Sequence, residues 1–114
     1  MRISVRDGHF KHASQAHEEI ASLGLYAVEM TVPPVRNGSH WHRFSTRIYI
    51  LEGELNITDW SRKVTFRAGP GALVRVPERV LHSEESAGGY SIVAGMTTDP
   101  ATLTAPVDLD PGLL

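Results

Sequence analysis

Two histidines separated by one residue, His40 and His42, are the first candidates for chemistry in this sequence. They lie just before an apolar run, residues 48–51, that is typical of a buried strand. Because side chains alternate between the two faces of a strand, we expect both imidazoles on one face, close enough to bind a single ion. The pair therefore predicts a metal site, although two histidines on a strand are often only solvated polar groups.

The same alternation predicts which neighbours share that face. If no bulge intervenes, Thr46, Ile48 and Ile50 point in the same direction as the histidines, and Arg47 points away. By the same count Trp41 lies on the opposite face, where we expect it to pack in an interface or an outer hydrophobic layer.

Other ionisable residues are interpreted as surface groups. His9, His12 and His17 lie in a polar N-terminal stretch, and His17 lacks the second histidine that a helical zinc motif requires. Glu84 and Glu85 are interpreted as a solvated loop pair.

The elements that must position these residues are mostly strands. A short helix is predicted within residues 12–24, with Ser14 as its cap and Gly24 as its stop. From residue 25 to 96, six or seven short apolar or alternating segments are separated by glycine and proline turns, which favours an all-β sandwich or barrel. Residues 97–114 are expected to be irregular, lying over the barrel or mobile. The side chains expected in the core or pocket wall are Ile48, Ile50, Leu55, Ile57, Phe66 and Val74.

Composition restricts the function classes. A chain of 114 residues is predicted to form one domain, and its lack of cysteine excludes thiolate metal ligation, a cysteine nucleophile and disulfides. A net charge of −2 without a basic run makes nucleic acid an unexpected partner. No segment reaches the about 18 apolar residues that a membrane span needs, and the polar start does not resemble a signal peptide. A cytoplasmic protein is expected.

Two segments resemble the two sequence motifs of the cupin family. Three positions match the first motif, G-x5-H-x-H-x3–4-E-x6-G: His40, His42 and Gly53. Three positions match the second motif, G-x5-P-x-G-x2-H-x3-N: Gly71, Pro77 and His82. The resemblance covers about residues 25–96. It implies an antiparallel jelly-roll barrel with the N-terminal segment as an appendage, and metal ligands at His40, His42 and His82.

The sequence departs from the family at the glutamate ligand of the first motif. Either Thr46 or Arg47 stands at that position, and neither is a good metal ligand. Three neutral imidazoles around a divalent ion carry a charge of +2, which favours a small ligand that binds as an anion. Arg79 replaces a glycine of the second motif; it indicates an altered turn and is a lesser candidate for pairing with a carboxylate substrate.

The resemblance implies a mononuclear three-histidine metalloenzyme acting on a small organic molecule. Iron-dependent dioxygenases of β-diketones and small thiols within the family use such centres, so Fe(II) is the expected cofactor, with Zn, Mn or Ni as alternatives. A non-catalytic ligand-binding or sensor protein is a second hypothesis. A metal-free isomerase or epimerase with a histidine base is a third. Family members commonly pair barrel edges, so a homodimer is expected.

Overall fold

Two antiparallel sheets form the body of the computed structural model, which describes residues 1–103 and 107–114. The strands found there are β1 (Ser4–Arg6), β2 (Tyr26–Val32), β3 (Val35–Arg36), β4 (Thr46–Gly53), β5 (Leu55–Asp59), β6 (Val64–Ala68), β7 (Leu73–Val76), β8 (His82–Ser86) and β9 (Tyr90–Met96). One α-helix, α1 (Ala13–Ser22), precedes β2, and two 3-10 helices follow β9 at Pro100–Thr102 and Pro111–Leu113.

The strand order defines a jelly roll. One sheet has the order β1-β7-β4-β9-β2, and the other has the order β3-β8-β5-β6. The all-β prediction with one short N-terminal helix is thus confirmed. Strand β2 is an edge strand that exposes Tyr26 and Met30, and the expected pairing of two copies through such edges stays a prediction.

The interior between the sheets is aliphatic. The predicted core residues Ile48, Ile50, Leu55, Ile57 and Val74 are all buried in one cluster there, with Phe66 half-buried against it. On the outer face of β4, Tyr49 belongs to a second cluster beneath α1. The predicted alternation along β4 is therefore observed, and its register shifts only between Ile50 and Glu52, beyond the site.

The N-terminal segment is part of the barrel rather than an appendage to residues 25–96. β1 pairs with β7 at the edge of the five-stranded sheet. Ile3, which precedes β1, is fully buried, and its N–H donates to Oδ2 of the buried Asp59 at 3.2 Å. A strand of three residues gives little signal in the sequence. β1 is held in place by its pairing with β7 and by the hydrogen bond between Ile3 and Asp59 at the end of β5.

Helix α1 begins at Ala13, one residue before the predicted cap Ser14. Oε1 of Gln15 accepts the backbone N–H of His12 at 3.1 Å and so satisfies a donor at the helix start. The predicted stop is observed at Gly24, whose φ of +70° ends the helix in the left-handed conformation. Within the described residues, no helix has the length and apolar character needed to cross a membrane.

A polar cluster joins α1 to the outer face of β4. Oε1 of Glu19 accepts hydrogen bonds from Arg47 and from the hydroxyl of Tyr49, the latter at 2.6 Å, and lies 2.8 Å from Nε2 of His9. His9 is therefore a half-buried partner in this cluster rather than the ordinary surface residue that was predicted. Burial alone would raise the pKa of Glu19, but hydrogen bonds from Tyr49, His9 and Arg47 lower it from 4.5 to about 2.

This cluster predicts a loss of stability in acid. A carboxyl whose folded pKa is lowered stabilises the fold above its unfolded pKa, and that contribution disappears as the pH falls from about 4.5 towards 2. We expect Glu19→Gln to lower the unfolding temperature at pH 7 and to flatten its dependence on pH between 5 and 2.5. Thermal unfolding followed by circular dichroism measures this, with Glu18→Gln on the exposed side of α1 as control. Parallel pH curves for the wild type and Glu19→Gln would contradict the assignment.

Candidate metal centre

His40, His42 and His82 converge at the wall of a cavity between the two sheets. One nitrogen of each ring lies within 4.8 Å of the other two, and the ring centroids are 4.4 to 5.1 Å apart. The backbones of His40 and His82 pair reciprocally, each N–H donating to the other carbonyl at 2.8 Å. This bridge ties the loop before β4 to the first residue of β8, so two distant parts of the chain deliver the three imidazoles together.

Backbone carbonyls orient all three imidazoles in the same way. Each Nδ1 lies at hydrogen-bond distance from a carbonyl oxygen: His40 from Gly38 at 2.8 Å, His42 from Val107 at 3.1 Å, and His82 from Val80 at 2.8 Å. A carbonyl only accepts hydrogen bonds, so Nδ1 carries the proton in each neutral ring. Nε2 then keeps its lone pair, which is the arrangement seen around metal-bound histidines.

Glu84 also belongs to this centre, which corrects its interpretation as a solvated loop residue. Its Oε1 lies 3.3 Å from Nε2 of His40 and 3.5 Å from Nε2 of His82, and its side chain is only 17% exposed. Its Oε2 accepts the hydroxyl of Tyr90 at 3.2 Å. Glu84 faces inward because it follows His82 by two residues in β8, while Glu85 faces solvent. The spacing His82-x-Glu84 is the signal in the sequence that could have identified it.

The electrostatics of the centre favour an ionised Glu84. Burial alone would raise its pKa, but the adjacent Nε2 atoms of His40 and His82, which can each carry a proton while no ion is bound, hold the pKa well below its usual range. Burial opposes charge on His40 as well, yet its contact with Glu84 raises the pKa of that ring. For His42 burial dominates and lowers the pKa. Burial raises the pKa of Tyr90, and the neighbouring Glu84 carboxylate raises it further, so the hydroxyl stays a donor.

The cavity beside the histidines has a volume of about 370 Å³ and a mostly apolar wall. Thr46 and Ile48 line it, as the alternation predicts, and Phe44 stacks on His42 with a centroid distance of 5.0 Å. Its remaining apolar wall includes Val28, Met30, Val32, Val35, Val76, Ile92, Ala94, Met96, Leu103 and Val107. Among the lining residues of the described chain there is no Lys or Arg.

Three of the candidate site residues named from the sequence do not line this cavity. Arg47 is on the outer face of β4, so Thr46 is the residue that faces the cavity where the family motif carries glutamate. Ile50 is fully buried in the core. Arg79 is exposed with a φ of 63°, and its guanidinium lies over the Trp41 ring, 5.5 Å from the centroid. Stacking on that ring turns Arg79 away from the cavity, which corrects its candidacy as a substrate contact.

The C-terminal segment lies over the centre. Leu109 pairs with Trp41 through backbone hydrogen bonds of 3.0 and 3.4 Å, and the buried Trp41 indole donates to the carbonyl of Asp110. Trp41 is therefore covered by its own chain. Asp108 lines the cavity with Oδ1 3.6 Å from Nδ1 of His42, and its side chain is 64% exposed. Of the two behaviours predicted for residues 97–114, lying over the barrel is the one observed, and positions 104–106 fall outside the described residues.

Comparisons with known proteins give neighbours in structure. No family model matches the chain, and no curated protein is similar to it in sequence. An RmlC-like cupin from Shewanella frigidimarina is similar with a TM-score of 0.55 and 23% identity, covering 69% of this chain and 71% of that one. A TDP-quinovose 3,4-ketoisomerase from Campylobacter jejuni is similar with a TM-score of 0.58 and 11% identity, covering 74% of this chain and 68% of that one. Oxalate decarboxylase from Bacillus subtilis, which has Mn(II) centres, is similar with a TM-score of 0.54 and 20% identity, covering 75% of this chain and 23% of that one.

Proposed function

Because this chain has the cupin fold, we propose that it binds one divalent metal ion through His40, His42 and His82 and acts on a small organic molecule in the adjoining cavity. One observation carries the proposal. All three imidazoles have Nδ1 fixed on a backbone carbonyl, so three Nε2 lone pairs are available to one ion.

The residues present fit such an ion. Neutral imidazole is a good ligand for Fe, Zn and Ni and is compatible with Mn, so the donor set alone does not choose among them. Three ligands leave coordination positions open for a small molecule, as in catalytic rather than structural sites. We propose Fe(II), in line with the resemblance to three-histidine dioxygenases.

The cavity indicates the class of substrate. Its apolar wall suits a compact molecule with a hydrocarbon body and one oxygen or sulfur donor group that ionises at the metal. The bound ion would supply Lewis-acid and O2 chemistry. The chain's part is to exclude water through residues such as Ile48 and to orient the molecule against Phe44. For a thiol, the proposed net reaction is RSH + O2 → RSO2H, in which both oxygen atoms enter the product.

Metal analysis and oxygen uptake test this function. Protein purified without a nickel column is expected to hold about one metal ion per chain by mass spectrometry. After loading with Fe(II), it is expected to consume O2 in the presence of an enolisable diketone or a small thiol, and a chelator should stop the uptake. Protein that binds neither iron nor zinc when these are added would overturn the metal centre. Full metal loading without uptake on any such compound would support a binding or sensor role, which the mostly apolar cavity also suits.

A metal-free isomerase is less well supported, although Glu84 does bring a carboxylate to the histidines. The carboxylate faces Nε2 of His40 and His82, which are the atoms that a histidine base would need free. A sugar nucleotide also needs basic groups for its phosphates, and no Lys or Arg is found among the described residues that line the cavity.

A further inference from the structure

We propose that Glu84 is the fourth protein ligand of the metal centre, an inference that rests on the proposed function. The first cupin motif carries its glutamate on the same strand as the histidine pair, and this chain has Thr46 there. In this chain the carboxylate comes instead from β8, two residues after His82 and in the opposite sheet.

Oε1 of Glu84 lies at the spacing of a co-ligand from two of the three imidazoles. Two atoms that bind one ion at about 2.1 Å lie roughly 3.0–3.4 Å apart in octahedral or tetrahedral geometry. Glu84 Oε1 lies 3.3 Å from Nε2 of His40 and 3.5 Å from Nε2 of His82. The carboxylate therefore needs almost no movement to share an ion with both imidazoles.

Two neighbours hold Glu84 in this position. Oδ1 of Asn37 accepts the Glu84 N–H at 2.7 Å, and the Asn37 N–H donates to the Glu84 carbonyl at 3.1 Å, which fixes the backbone. The Tyr90 hydroxyl occupies Oε2 and leaves Oε1 directed at the histidines. Such preorganisation is what a metal ligand requires of its surroundings.

Charge gives a second reason for a carboxylate at this point. With three neutral imidazoles the centre carries +2, and an ionised Glu84 lowers that charge to +1 inside a mostly apolar wall. Asp108 is a weaker candidate because its Oδ1 is 3.9 Å from Nε2 of His40 and its side chain is 64% exposed. Four protein ligands would leave two positions of a six-coordinate ion for small molecules.

Binding of Co²⁺ to the full chain tests the assignment. Competition with a coloured chelator measures the affinity, and the visible absorption of bound Co²⁺ reports the number and type of its ligands. Glu84→Gln keeps the size of the side chain and an acceptor for Tyr90, and it is expected to weaken Co²⁺ binding at least ~10-fold and to change the spectrum. Glu84→Asp, which keeps the charge but withdraws the oxygen, should change the spectrum as well. Glu85→Gln, on the exposed face of β8, should behave as wild type.

The outcomes separate this inference from the proposed function. If Glu84→Gln binds Co²⁺ with the wild-type spectrum, Glu84 is not a ligand, even where the affinity falls through loss of charge. In that case the three-histidine centre still stands. If the wild-type chain binds no Co²⁺, the proposed function fails and this assignment fails with it. Unfolding temperatures of all variants show that each one is folded.

Discussion

His42→Ala is expected to remove stoichiometric metal from this protein, with a loss of affinity of at least ~100-fold. The substitution deletes one of three imidazoles, and even the loss of a residue that only supports a ligand typically costs about 10–100-fold. His42 is the best of the three for this test because it is half-buried in the loop before β4. His40 and His82 are buried and joined through their backbones. Metal per chain is measured by mass spectrometry after dialysis against a weak chelator.

A second histidine variant serves as the control. His17 lies on α1 with a partly exposed side chain that contacts Glu29 at 2.8 Å. His17→Ala is expected to keep the wild-type metal content, and both variants should keep a cooperative thermal transition. A His42→Ala protein that is folded and still holds one metal ion per chain would show that the centre lies elsewhere.

Much of this centre follows from two simple patterns in the sequence. Residues 43–44 form a bend and β4 begins only at Thr46, yet the even-numbered side chains from His40 to Ile48 still face the cavity. The strand period of two therefore correctly places Thr46 on the cavity wall and Arg47 outside. The second pattern is the motif around His82, which linked a distant residue to the pair. The first pattern depends only on local strand geometry, whereas the link between His82 and the pair came from the resemblance to the cupin motifs, because no local rule joins residues so far apart in the sequence.

Glu84 was missed because its strand has no apolar pattern of its own. β8 reads His-Ser-Glu-Glu-Ser, and its strand conformation depends on pairing with β5 and β3, which are distant in sequence. The same reason explains why β1 and β3, of three and two residues, were not predicted. Ile3 is an example, because its N–H donates a hydrogen bond to the buried Asp59, which lies 56 residues away in the sequence.

The motif residue Gly53 is expected to be the glycine of this fold that is most sensitive to an added Cβ. It ends β4 opposite Tyr90 with a φ of +80°. A Cβ at this position would lie 2.2 Å from the carbonyl oxygen of Gly89 and 2.8 Å from Cα of Tyr90. Both are backbone atoms, so no side-chain rotation relieves the contact. The left-handed conformation adds about 1–2 kcal/mol for any residue with a Cβ.

Gly53→Ala is therefore expected to lower the free energy of unfolding by more than ~2 kcal/mol, out of the roughly 5–15 kcal/mol typical of a domain. Urea unfolding at pH 7 measures it, and two other glycines separate the causes. Gly24 has a φ of +70° with nothing within 4 Å of a Cβ, so Gly24→Ala reports conformational strain alone. Gly69 has open space and no positive φ, so Gly69→Ala should be nearly neutral.

The order of the three effects, and not only the size of the first, is what the structure predicts. If Gly53→Ala lowers the free energy of unfolding no more than Gly24→Ala does, β4 does not approach the Gly89–Tyr90 turn as closely as the structure shows. That approach also matters for the proposed metal centre, because it sets the position of Tyr90, whose hydroxyl holds Oε2 of Glu84. A folded Gly53→Ala protein should therefore also bind Co²⁺ more weakly, whereas Gly24→Ala, which is remote from the cavity wall, should not.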